Sequence, residues 1–207
     1  MIAQKSLGSG KTRLAALWAA LAMLMTGCAT QPTIIDIIKD VNAEFKAEYE
    51  AILAKDGTRV YKVTRNEAYD AIRVSMARLR MTVESQDPVL GYVNVFADAP
   101  LPLSPDEWRE AAAADLPKLQ EICRRRAFIE CFLIRFEPEG LQSTITGTVF
   151  EVKGGTAVSF TARMREIAPP RSGFPRREYL PPTAVRMALA KIWREIELEF
   201  KATVRRP

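Results

Sequence analysis

Thr144–Arg165 reads TITGTVFEVKGGTAVSFTARMR. Two runs rich in β-branched residues flank Lys153-Gly154-Gly155, which marks a tight hairpin turn. In the second run Val158, Phe160, Ala162 and Met164 alternate with Ser159, Thr161, Arg163 and Arg165. That alternation puts one face in a core and the other in water, the pattern of an antiparallel sheet with helices on one side.

Toward the C-terminus, Ala168–Pro182 is rich in Pro and Arg and predicts a loop. Beyond it Val185, Leu189, Ile192, Trp193, Ile196 and Phe200 recur at helical spacing and predict an amphipathic helix that covers the sheet. Upstream, Phe128–Phe136 is largely apolar on both faces and predicts a central strand. Thr58–Val63, Met81–Ser85 and Tyr92–Phe96 predict three more, for about six strands in all.

Two helix starts are written as capping boxes. Thr64 and Glu67 open a helix whose inward face is Ala68, Ala71, Ile72, Ser75, Met76 and Leu79. Ser104-Pro105-Asp106-Glu107 opens another, facing inward through Trp108, Ala111, Ala112, Leu119 and Ile122. Pro117 predicts a kink or a split in it, and Arg124-Arg125-Arg126 its end. Thr33-Ile34-Ile35-Asp36 is a third box. It precedes an amphipathic helix over residues 34–55, with Ile34, Ile38, Val41, Phe45, Tyr49 and Ile52 on one face. The order α, β-α-β-β, α, β-β-β, α predicts an α+β domain over residues 56–207: an antiparallel sheet covered by helices on one side.

The chain has 207 residues, 30 Lys and Arg against 25 Asp and Glu, three Cys and no His. Without histidine, Ser-His-Asp and Cys-His nucleophiles, the HExxH zinc site and any imidazole base are excluded. Asp106/Glu107 and Glu137/Glu139 read as a helix start and a strand-end turn rather than paired acid and base, and no Ser-Lys motif stands out. The sequence therefore predicts a non-enzymatic protein with no cofactor. Gly8-Ser9-Gly10-Lys11-Thr12 mimics the end of a phosphate loop, but Lys5 stands where the first glycine belongs and no βαβ context surrounds it.

Lys5, Lys11 and Arg13 precede a twelve-residue apolar run, Leu14–Met25, and then Thr26, Gly27 and Cys28. A bilayer span needs about 20 apolar residues, so this run is short for one. A basic start, a short apolar stretch and small residues before a cut mark a secretory signal peptide over residues 1–27. Met25-Thr26-Gly27-Cys28 resembles the lipobox of bacterial lipoproteins. The resemblance implies cleavage before Cys28, a diacylglyceryl thioether on its sulfur and an acylated amine, and so anchorage to a lipid bilayer through those chains. Residues 28–33 become the acylated Cys and a short tether. Ala29, rather than Asp, after the Cys resembles the outer-membrane sorting pattern and implies the periplasmic face of that membrane.

Removal of residues 1–27 leaves 27 basic and 25 acidic side chains, so net charge gives no ground for nucleic-acid binding. Export also makes Cys123 and Cys131 candidates for a disulfide, the alternative being two buried thiols. Two thiolates without His fall short of a zinc set, and no metal is expected. Charge is unevenly spread: residues 28–162 hold 16 basic against 20 acidic groups, residues 163–207 hold 11 against 5. Arg163, Arg165, Arg171, Arg176 and Arg177 are candidate contacts for an anion or a partner, since guanidinium suits phosphate and carboxylate. Internal pairing is the competing reading.

The order of elements over residues 58–204 resembles helix-grip domains, which recur in accessory lipoproteins of outer-membrane barrel assembly and in other small envelope lipoproteins. The resemblance implies either a scaffold subunit with an envelope protein partner, or a pocket between sheet and C-terminal helix for a lipid or small apolar ligand.

Overall fold

The structure, a computed structural model, describes residues 34–126, 137–167, 176–178 and 181–204. Helix α1 (Ile34–Asp56) leads into strand β1 (Thr58–Tyr61), helix α2 (Arg65–Arg78) and the hairpin β2 (Thr82–Asp87) and β3 (Tyr92–Asp98). Helix α3 (Pro105–Arg125), the hairpin β4 (Leu141–Val152) and β5 (Gly155–Glu166), and helix α4 (Pro182–Val204) complete the chain. The five strands lie in the order β1-β5-β4-β3-β2, every neighbouring pair antiparallel. The protein is α+β. The sixth strand expected at 128–136 and the Pro- and Arg-rich loop from 168 lie outside the described residues, apart from its short described stretches.

The capping boxes at Thr64 and Ser104 form, and the one expected at Thr33 lies outside the described residues. The Thr64 and Ser104 side chains accept from the backbone N–H of Glu67 and Glu107, whose carboxylates accept in return from the cap N–H groups. Helix α3 runs unbroken through Pro117, so the expected split does not occur. Pro117 and Ala113 are both exposed. Water can therefore take the carbonyl that the missing N–H leaves free.

The β4–β5 ladder is long, from Leu141 opposite Glu166 to Val152 opposite Gly155. Its alternation is the one the sequence shows. Ile145, Val149, Val158 and Phe160 point into a core shared with Ile72 and Met76 of α2 and Leu189, Trp193 and Ile196 of α4. The opposite sheet face carries no helix among the described residues. It is surfaced by short polar side chains: Thr146 donates to Asn94, Asn94 to Glu84, and the Thr58 and Ser159 hydroxyls meet. Trp193 fixes the depth of α4. It is 2% exposed, meets Phe160 edge-on with ring centroids 4.8 Å apart, and donates its indole N–H to the Asp56 carbonyl at 3.0 Å. Burying a side chain of this size contributes about 3 kcal/mol, and the bond keeps its N–H satisfied.

Helix α1 buries Ile37, Val41, Phe45, Tyr49 and Ile52. The face begins at Ile37, where Ile34 and Ile38 were expected, because the first half of α1 packs on Leu119, Ile122 and Cys123 of α3 rather than on the sheet. The two helices run antiparallel and are joined by ion pairs from Asp40 to Arg126, Glu44 to Arg125 and Glu48 to Lys118. Two of the cations at the end of α3 thus meet the acidic side of α1. Farther along, Tyr49 and Ile52 join Trp108, Leu141, Met164 and Val185 in a second core at the Leu141–Glu166 end of the sheet.

Candidate functional site

The space between the sheet and α4, where an apolar ligand would sit, is filled. Leu53, Leu101, Trp108, Ile145, Phe160 and Leu189 line a cavity there of about 40 Å³. A pocket for a drug-sized ligand takes roughly 300–1,000 Å³. Among the described residues, no group of three His, Cys, Asp or Glu could hold a metal ion.

The carboxylates at the start of α3 are engaged locally. Asp106 pairs with Arg109, and Glu107 both closes the cap and accepts from Lys191 Nζ at 2.7 Å. The Lys191 bond and the Ser104 N–H hold the Glu107 carboxyl below its usual range. Glu137 and Glu139 contribute their backbone carbonyls to Arg177 at 3.3 and 3.0 Å.

Arg177 is the most enclosed of the predicted arginines. Its Nε donates to Glu166 Oε1 at 3.0 Å and its backbone N–H to Glu166 Oε2 at 3.1 Å. With both remaining nitrogens on carbonyls, this guanidinium serves the fold and is not presented to an outside anion. Arg176 donates to the Glu166 carbonyl at 3.3 Å, and its own carbonyl accepts from Asn42 of α1. Arg165 donates to Gln142 Oε1 at 3.0 Å. Arg163 is exposed on the uncovered sheet face and has no bonded partner among the described residues. Arg171 lies outside the described residues.

Arg163 and Arg165 share a groove with residues that no local pattern connects to them. Beyond Ser159 strand β5 has no β1 partner, and α1 passes along this stretch. Lys39, Lys46 and Glu50 of α1 and Glu178 face Arg163 and Arg165 across a groove of about 1,080 Å³. The Tyr49 phenol in its wall is pushed above its ordinary value, first by burial and then by the neighbouring Glu50. Cations and carboxylates both line the groove. That pattern suits a partner surface of mixed charge better than a single polyanion.

Cys123 is buried on α3 and disulfide-bonded. The proposed pairing with Cys131 and the acylation of Cys28 fall on residues outside the described set. No described helix is long and apolar enough to cross a membrane. No protein-family model, curated protein or solved structure matches this chain.

Proposed function

We propose that the protein is a lipid-anchored envelope lipoprotein whose folded body acts as a non-enzymatic binding or scaffold subunit at the periplasmic face of the outer membrane. The observation that carries this reading is the basic start and twelve-residue apolar run that end in Thr26-Gly27-Cys28. Helix α1 begins at Ile34, six residues beyond the Cys. Six residues reach at most about 20 Å, so an acylated Cys28 keeps the body against the bilayer. Tethering raises the local concentration toward other membrane-bound proteins, so modest intrinsic affinity suffices. The groove between α1 and β5 is the surface we assign to an envelope protein partner, through Arg163, Arg165, Lys39 and Lys46.

The filled interior supports a scaffold over a carrier of apolar ligands. The carboxylates at the start of α3 sit in a cap and in ion pairs, which supports a non-catalytic role. The test is Cys28→Ser in a Gram-negative host. Wild-type protein is expected to incorporate labelled palmitate and to fractionate with the outer membrane, and the variant to do neither. Identical labelling of the two would remove the reading.

A further inference from the structure

Val89 and Leu90, at the tip of the β2–β3 hairpin, are 80% and 70% exposed. A single exposed aliphatic side chain is ordinary. Here every backbone N–H beneath the pair is bonded. Asp87 Oδ1 accepts from the N–H of Val89 at 2.7 Å and of Leu90 at 2.9 Å. The Gly91 N–H donates to the Asp87 carbonyl at 2.8 Å, and residue 88 is a proline with no N–H. The Val89 carbonyl accepts from Arg65, and the Gly91 carbonyl from the Val149 N–H at 2.7 Å. No N–H of residues 88–91 would be stranded if the tip left water. Stranded N–H and C=O groups both oppose moving a loop into an apolar phase. The Pro88 and Leu90 carbonyls carry no bond among the described residues, so the tip suits the hydrated interfacial region rather than the hydrocarbon.

The register brings more apolar surface to the same end. Phe150 stands opposite Ala157, and Ala157 opposite Val60, on the uncovered sheet face. Phe150 is 45% and Val60 57% exposed, so four of the eight large hydrophobics exposed among the described residues gather here. Lys62 follows β1 at this end and Lys153 forms the β4–β5 turn; both are exposed, with no ion pair among the described residues. Of the exposed carboxylates nearby, Glu151 falls by alternation on the helix side of β4, Glu67 is engaged in the cap of α2 and Glu84 accepts from Asn94; Asp87 is bonded to the tip N–H groups.

We propose that this end of the sheet is a membrane-insertion surface. Val89 and Leu90 enter the interfacial region of an anionic bilayer, and Lys62 and Lys153 meet its phosphates. The area favours lipid over protein. These side chains expose on the order of a few hundred Å², against about 800 Å² per partner in a stable protein interface. The surface is independent of acylation. It lies at the opposite end of the sheet from the Leu141–Glu166 edge, where Tyr49 and Ile52 of α1 pack.

The test places a photo-crosslinking phenylalanine analogue at Leu90 and, as control, at exposed Leu116 of α3, in the full chain and in its Cys28→Ser form. The proteins are mixed with vesicles of phosphatidylethanolamine and phosphatidylglycerol, or of phosphatidylcholine alone. Lipid adducts are expected at Leu90 and not at Leu116, with or without Cys28. Lys62→Gln with Lys153→Gln should lower the Leu90 yield on anionic vesicles about tenfold. Val89→Ser with Leu90→Ser, with an unchanged circular dichroism spectrum, should release the domain end from the vesicle. Equal yields at the two positions, or an adduct to protein instead of lipid at Leu90, would overturn the proposal. Loss of the Leu90 adduct in a palmitate-labelled chain rejects the tip alone. An unlabelled Cys28 beside a persisting adduct rejects the anchor alone.

Discussion

Arg177 closes the open end of the β4–β5 hairpin onto Glu166: side chain and backbone N–H each take one carboxylate oxygen, at 3.0 and 3.1 Å. The pair is mostly shielded, with 23% and 15% of the two side chains exposed. Removing the guanidinium takes its Nε–H from the shielded Glu166 carboxylate, which keeps the backbone N–H of residue 177, and takes a donor from the Glu139 carbonyl. Arg177→Gln is expected to cost about 2–3 kcal/mol in urea unfolding. Arg163→Gln, on an exposed and unpaired side chain, should stay within about 0.5 kcal/mol of wild type. Equal losses for the two would show that the clamp is not what holds the hairpin end.

Both capping carboxylates titrate with folding. The Glu67 carboxyl is lowered chiefly by the Thr64 N–H, and that of Glu107 by Lys191 and then the Ser104 N–H, from an ordinary value of 4.5. A depressed folded value means the contribution is complete above the ordinary value and is lost as pH falls through the folded one. The urea midpoint of the wild type should therefore drop further between about pH 6 and about pH 3.5 than that of Glu67→Gln with Glu107→Gln. Parallel declines would mean that other carboxylates govern the acid limb.

These caps were legible in the sequence because every partner lies within three residues, and the strand alternation at 156–165 was legible for the same local reason. The clamp on Arg177 was not. Its acceptors come from Glu137, Glu139 and Glu166, which only the finished ladder brings together. The groove is half visible: Arg163 and Arg165 stand out by charge, while Lys39 and Lys46 lie off the apolar stripe of α1 and nothing local ties them to a strand. Only the path of α1 along the unpaired part of β5 makes them neighbours. At Pro117 the helix is not split: the carbonyl freed by the missing N–H belongs to exposed Ala113, and that exposure is not written in the local sequence.

Trp193 ties three elements at once: the α1 terminus through the Asp56 carbonyl, β5 through Phe160, and β1 through Arg59, whose guanidinium lies 4.9 Å from the indole centroid. Trp193→Ala should cost about 3–5 kcal/mol, since a large cavity opens between sheet and helix. Trp193→Phe keeps most of the volume but removes the bond to the carbonyl of exposed Asp56, and should cost about 0.5–1.5 kcal/mol. Denaturation of the two variants separates packing from the hydrogen bond. A Phe variant as stable as wild type would assign the whole effect to volume.

Gly91 is the position on which the hairpin tip depends. Its φ of +76° is one that side chains adopt with strain, and an added Cβ would lie 2.6 Å from the Val149 carbonyl oxygen and 2.7 Å from an Arg65 nitrogen. The first contact is backbone inside the β3–β4 connection, so the strand must shift; the second displaces the donor that holds the Val89 carbonyl. Gly91→Ala is expected to destabilise the fold by about 1–3 kcal/mol. It should also speed amide exchange at Val89 and Leu90 relative to the β4–β5 ladder, because their bonds to Asp87 require this turn. Unchanged exchange at the tip, with the stability loss present, would mean that the turn adapts and the strain is carried by β4 instead.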